Sequence, residues 1–298
     1  MITAELKNAL RGLNPLRWNA TLLEVVLAVT LVLALNFGLR RTLVEIASQA
    51  AILAILIRPA LIRNPLLWFG LAAIATASLT WVWTIADNRE WLFVYWLWVA
   101  FLAVAVRDEP LAERVLRSSA RFFIVFVFLT AAFQKASSPT YMSGEMFEFK
   151  LLNDSRFTTF SQLLGVDTSI SVAAKLAFSQ LESATIEFAD NTVLVPSTDW
   201  VHTLAMAIMW YDLLIQVAIG VLFAFRRQLT DILGHFCLLF FIFTTYIPAT
   251  VPGFGWTITI FGFATTKDKL PRFATAYAMA FVAILLYQLP WRQWVTYW

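Results

Sequence analysis

Cysteine is nearly missing from this chain of 298 residues. The single one, Cys237, lies in an apolar run, which excludes an intramolecular disulfide and a cysteine-rich metal centre. Histidine is almost as scarce: His202 and His235 are the only two, too few for a haem held by several histidine pairs. A site built from one histidine and a carboxylate stays open, and no metal is expected. Charged residues make up only 14% of the chain, well below the quarter or so usual in soluble domains. There is no Walker A pattern, dinucleotide fingerprint, HExxH or GxSxG, so the motif-bearing nucleotide, zinc-protease and serine-hydrolase classes are thinned out. Internal repeats and low-complexity tracts are lacking as well.

What the chain does have is apolar surface. Hydrophobic residues make up 60% of it, and its mean hydropathy is +0.73. Apolar runs of about 17–20 residues recur, the length a helix needs to cross roughly 30 Å of hydrocarbon. The expected fold class is all-α, a polytopic transmembrane helical bundle forming one membrane domain over 1–298. A net charge of +3 and a pI near 9.1 raise nucleic acid as a partner. The basic residues are spread through short loops, however, and the positive-inside rule explains them better. No nucleic acid is expected, and the lipid bilayer is the first partner. Residues 3–12 have the pattern of a short amphipathic helix on the cytoplasmic surface. No cleavable signal peptide is expected, because the apolar segment after Lys7, Arg11 and Arg17 is long enough to stay in the membrane.

Eight crossings are expected, near 19–38, 42–60, 65–85, 91–106, 119–135, 201–225, 229–247 and 272–290. The shorter stretch 253–266 is either a thin ninth crossing or a re-entrant segment. With the N-terminus cytoplasmic and nine crossings, 14 of the 22 basic residues fall inside; with eight crossings, 12 do. The bias prefers nine. Tryptophan favours the membrane interface, and Trp81, Trp83, Trp91, Trp200, Trp256, Trp291, Trp294 and Trp298 fall near ends assigned to the outer face, with only Trp18 and Trp68 near inner ends. Segment 136–200 then becomes an external, mildly acidic cap. Within it, 171–184 has Val172, Leu176, Phe178 and Leu181 at near-helical spacing, which predicts a helix packed on the bundle.

Ionisable groups inside membrane spans are costly, so each invites a functional hypothesis. The run 122–144, FFIVFVFLTAAFQKASSPTYMSG, ends its apolar helix in Gln134 and Lys135 before a polar turn. Lys135 is either an interfacial anchor or an amine at the mouth of a cavity, where a lowered pKa makes a base. Asp212 lies mid-span, with Gln216 one turn later, and needs a partner or a watery cavity. Asp231 and His235 share a helix face, so the carboxylate can orient the imidazole, although an acid at a helix start is also favoured by the dipole. Arg121 reads as a snorkelling anchor at an inner helix end. Glu45 with Gln49, and Glu24, read as polar glue inside the bundle; His202 is a further candidate.

The order and spacing of three of these stretches resemble the HTTM family (horizontally transferred transmembrane domain), the membrane core shared with vitamin K-dependent gamma-carboxylases. They are FLTAAFQKASSPTYMSG around Lys135, WYDLLIQVAIGVLFAFRR around Asp212, and LGHFCLLFF with IPATVPGFGW after it, together spanning about 120–266. Ala136-Ser137 stand where that family has leucine–asparagine after its lysine, and Asp212 stands where a glutamate is usual. The resemblance implies that Lys135 acts as a base on a reduced quinone, which arrives through the lipid, while a polar partner arrives from outside. It implies a stand-alone membrane core, without the large extramembrane domain of the peptide carboxylases, in a bacterial inner membrane with the cap on the periplasmic side.

Three functional readings follow. The first is a membrane enzyme acting on a quinone-like lipid or an exported peptide, with Lys135 as base supported by His235 and Asp212. The second is a non-catalytic accessory subunit scaffolding other membrane subunits. The third is a transporter.

Overall fold

A computed structural model describes residues 21–36, 42–81, 88–183, 197–246, 252–266 and 270–288. Among these residues every regular element is helical. The chain falls into two compact units, Met1–Leu116 and Arg117–Trp298.

The first unit contains α1 (Leu22–Asn36), α2 (Thr42–Ile57), α3 (Pro65–Thr80) and α4 (Asn88–Ala105). Local chemistry sets the starts. Thr21 and Glu24 each accept from the other's backbone N–H, a capping box at the head of α1. Asn64 caps α3 through the Leu66 N–H, with Pro65 in the first helical position, where its missing donor costs nothing. Trp68 and Trp96 are fully buried, and their indole donors reach Ile62 O at 2.8 Å and Thr30 Oγ1 at 3.0 Å. A buried tryptophan needs such a partner; the Trp96 bond ties α4 to α1, and the Trp68 bond ties α3 to the turn that precedes it.

The second unit is built on three helices long and apolar enough to cross a membrane: α5 (Glu109–Ala136, which begins in the first unit), α10 (Asp199–Ala224) and α11 (Gln228–Tyr246). At 1.5 Å per residue the shortest of these, with 19 residues, is about 28 Å long. Between α5 and α10 lie the short helices α6 (Pro139–Met142), α7 (Glu145–Asn153), α8 (Thr158–Leu163) and the longer α9 (Thr168–Ser183); α12 (Pro252–Thr265) and α13 (Pro271–Gln288) follow α11. Phe128 of α5 packs edge-on against Phe241 of α11, and Phe123 stacks on Phe261 of α12. Gly262 lets α12 meet α13 closely, since a Cβ there would fall 2.3 Å from the Tyr277 ring.

Each of the nine expected apolar stretches contains a helix, bounded within a few residues of expectation where it is described, except that α5 starts at Glu109, ten residues before the expected 119. Several side chains face otherwise than expected. Glu45 and Gln49 are not interior glue: they are exposed and bond each other at 3.4 Å. Val44, Ser48 and Ala51 occupy the buried face of α2, and Ser48 satisfies its hydroxyl on Val44 O. Glu24 serves its own cap and pairs with Arg63 at 2.9 Å. Trp256 and Trp68 are core residues with no exposed surface, not interfacial ones. In α9, Val172 and Leu176 are exposed while Ala174 faces the core. Trp18, Trp83, Trp291, Trp294, Trp298 and residues 3–12 lie outside the described residues.

Candidate functional site

The site forms where α6, α7 and α8 close over the ends of α5, α10 and α11. Helix α5 runs to Ala136 and stops in a turn; Ser138 then caps α6 through the Tyr141 N–H, with Pro139 at its first position. Gly144 follows at φ +80°, a left-handed conformation that glycine adopts without steric cost, and turns the chain into α7. A Cβ at Gly144 would also sit 2.9 Å from the Met206 sulfur. The segment is seated by an apolar core in which Tyr141, Phe147, Leu151 and Phe157 pack on Val201, Ala205, Met209 and Leu213 of α10. His202 and Trp200 add polar ties, His202 Nδ1 to Glu148 at 3.0 Å and Trp200 Nε1 to Leu164 O at 3.1 Å.

This packing brings Lys135 and Asp212 together, 77 residues apart in the chain. Lys135 Nζ donates to, and is ion-paired with, Asp212 Oδ2. The Tyr141 hydroxyl donates to the same oxygen at 2.5 Å, and Gln216 Nε2 donates to Oδ1 at 2.7 Å. The Lys135 ammonium also lies 5.4 Å from the centre of the Tyr141 ring. Burial first, then the Asp212 charge, pushes the Tyr141 phenol far above its usual range, so it stays a donor at neutral pH. Gln216 is 4% exposed. Its amide nitrogen must face the acceptor-only carboxylate, which leaves Gln216 Oε1 buried without a hydrogen-bond partner.

Beside the cluster is a cavity of about 580 Å³, with Lys135, Asp212, Gln216, Lys150 and Arg156 on its polar walls. Phe147, Phe157, Phe160, Phe241 and Phe254 supply most of the apolar lining. A volume of several hundred Å³ suits a small organic ligand, and so does a mostly apolar wall with a few convergent polar groups.

His235 does not join this cavity. It lies six residues before Phe241 on α11, roughly 9 Å along the helix axis. Its Nδ1 is 3.0 Å from the Tyr277 hydroxyl, and its ring stacks on Phe273 and meets Phe223 edge-on. Asp231, one turn away, is buried and pairs with Arg121 Nη1 at 2.8 Å. Arg121 also donates to Phe223 O and Phe225 O, both at 2.6 Å, and so satisfies orphan carbonyls at the end of α10. It is therefore a buried clamp and not the expected snorkelling anchor: its side chain is only 14% exposed.

Sequence reasoning singled out Lys135, Asp212 and Gln216 but missed Tyr141, Lys150 and Arg156. A tyrosine six residues beyond a helix-end lysine was a faint signal for the first. No local pattern marks the other two, because only the fold of the cap turns them inwards. Compared with family models, curated proteins and solved structures, the chain finds no match. Among the described residues no three histidine, cysteine, aspartate or glutamate side chains cluster as a metal site. The arrangement can do two things chemically. It can move a proton among an amine, a carboxylate and a phenol, and it can hold an amphiphile whose polar end meets that group.

Proposed function

We propose that this is an integral membrane enzyme of the HTTM type, in which Lys135 is the acid–base group and acts on a lipid-soluble, quinone-like molecule. The observation that supports this most directly is that Lys135 lines the cavity while held by Asp212. An interfacial anchor would turn its ammonium towards headgroups, with no fixed carboxylate to meet it. The proposed setting is a bacterial inner membrane, with nine crossings, a cytoplasmic N-terminus and segment 136–200 outside.

The residues suit a quinol-type ring. The phenylalanine walls accept a flat apolar ring, with Lys135 and Asp212 at its polar edge. A bound quinol would supply an acidic hydroxyl. To receive its proton, Lys135 must first present a neutral amine, and the hydrogen-bonded Asp212 is where its own proton can go. Tyr141 and Gln216 hold the carboxylate in place beside Lys135, and partial burial under the cap strengthens these charge interactions.

The test is spectroscopic. The purified protein in mild detergent is titrated with a short-chain naphthoquinol under nitrogen, and ionisation of the ring hydroxyl is followed by its ultraviolet absorption. Ionisation at a lower pH than in protein-free micelles, abolished by Lys135→Met, is the expected result. An unchanged spectrum, or an equal shift in Lys135→Met, would overturn the reading. Co-purifying membrane subunits together with an inert cavity would favour the accessory-subunit reading.

A further inference from the structure

Three cations line the cavity, Lys135, Lys150 and Arg156, against the single carboxylate of Asp212. Two of them are occupied. Asp212 holds Lys135, and its oxygens also take the Tyr141 and Gln216 donors. Arg156 is engaged by its neighbour Asp154, from Nε at 3.0 and 3.2 Å and from Nη2 at 2.6 Å. Lys150 has no carboxylate at salt-bridge distance among the described residues; its closest specific contact is the face of the Phe147 ring, 5.5 Å away. Burial, and then the nearby Lys135 charge, pulls the Lys150 ammonium below the usual lysine range. Lys150 therefore shares a half-buried space with Lys135, and the Asp212 carboxylate, already holding Lys135, offsets only part of their repulsion. That is costly for the protein alone and favourable once an anion enters.

We infer that the cavity is a receptor for an anionic amphiphile, whose carboxylate or phosphate head is held by the Lys150 ammonium and whose apolar chain lies on the phenylalanine walls. The walls set the chain requirement, since a free inorganic anion leaves that aromatic surface unused. Lys135 contributes the field that makes the space attractive to an anion while staying bound to Asp212. The inference rests on the cavity assigned above but not on Lys135 acting as a base, so either can fail without the other.

The experiment is ligand binding to the full chain in dodecyl maltoside, read by native mass spectrometry. The probes are decyl phosphate, decanoate, decanol and inorganic phosphate. Decyl phosphate and decanoate are expected to bind at least tenfold more tightly than decanol, the factor a charge-assisted hydrogen bond supplies. Lys150→Met keeps the apolar stem but removes the charge, and should lower affinity for both anions about tenfold while leaving decanol unchanged. Lys150→Arg should restore most of the loss. Equal binding of decanol and decyl phosphate, or unchanged anion affinity in Lys150→Met, would overturn the anion site. Inorganic phosphate binding as tightly as decyl phosphate would overturn the amphiphile. A single cooperative melt for Lys150→Met at or above the wild-type temperature near neutral pH shows that the fold is intact. The two readings are read by different pairs: the anion site by decyl phosphate with Lys150→Met, the base by the naphthoquinol with Lys135→Met.

Discussion

Replacing Asp212 by asparagine tests the central cluster most severely. Asparagine keeps the size and one carbonyl oxygen but removes the charge, leaving Lys135 beside Tyr141 with no counter-ion. Breaking a fully buried pair by deleting one partner costs about 3–5 kcal/mol. Here the side chains are 26% and 16% exposed, so solvent relieves part of that and about 2–3 kcal/mol is the expected loss. At the roughly 2 °C per kcal/mol that suits a chain of this size, the melting temperature should fall by about 4–6 °C. Lys135→Met should cost a similar amount, because it leaves the Asp212 carboxylate with the Tyr141 and Gln216 donors alone. The double variant Lys135→Met/Asp212→Asn should be no less stable than either single one, giving a coupling energy of about 2 kcal/mol. Intrinsic tryptophan fluorescence in detergent, at one fixed scan rate, reads all four proteins. Additive losses, or single variants within 1 °C of wild type, would show that the pair is solvated and that the cavity lysine is only an anchor.

Arg121→Lys should be nearly as damaging as Arg121→Met, lowering expression and melting temperature by the equivalent of about 3 kcal/mol, because a lysine cannot serve Asp231 and two carbonyls with one planar fork. Gly262→Ala should cost about 1–3 kcal/mol by forcing a methyl into the Tyr277 ring, with Tyr277→Ala in the same chain recovering part of the strain in thermal unfolding. The depressed Lys150 predicts a pH effect of definite sign. The unfolded lysine keeps its proton up to about 10.4 while the folded one releases it earlier, so the unfolded state binds more protons in that window and stability rises with pH across it. Melting temperatures between pH 8 and pH 10.5, taken as the difference between wild type and Lys150→Met, should show that rise; a flat difference would mean that Lys150 is solvated.

The helical segments were legible because their cause is local. The apolar run behind Asn64-Pro65 specifies α3 and its start through capping and backbone sterics, whereas α6 and α7, behind Ser138 and Gly144, formed where only a polar turn was expected. Lys135 and Asp212 were legible as candidates for a similar reason: a charge inside an apolar run is conspicuous in one dimension. Which way a side chain faces was less readable. In α2 the glutamate–glutamine pair and the valine–serine–alanine stripe have the same spacing, and only the packed neighbours decide which is inside. The same holds for α9, where the apolar spacing of Val172 and Leu176 pointed to the wrong face.

The amino-acid order by itself therefore determined an all-helical chain, with spans apolar enough for a membrane and a lysine and an aspartate that each demanded a partner. Only the tertiary structure decided that these two are partners of one another, that Tyr141 and Gln216 complete their cluster, and that His235 belongs with Tyr277 elsewhere. It also decided that Lys150 and Arg156 turn into the same cavity. The physical reason is range. Helix formation is settled within about four residues, whereas an ion pair across 77 residues depends on how α5 and α10 dock beneath the cap, and no local pattern records that.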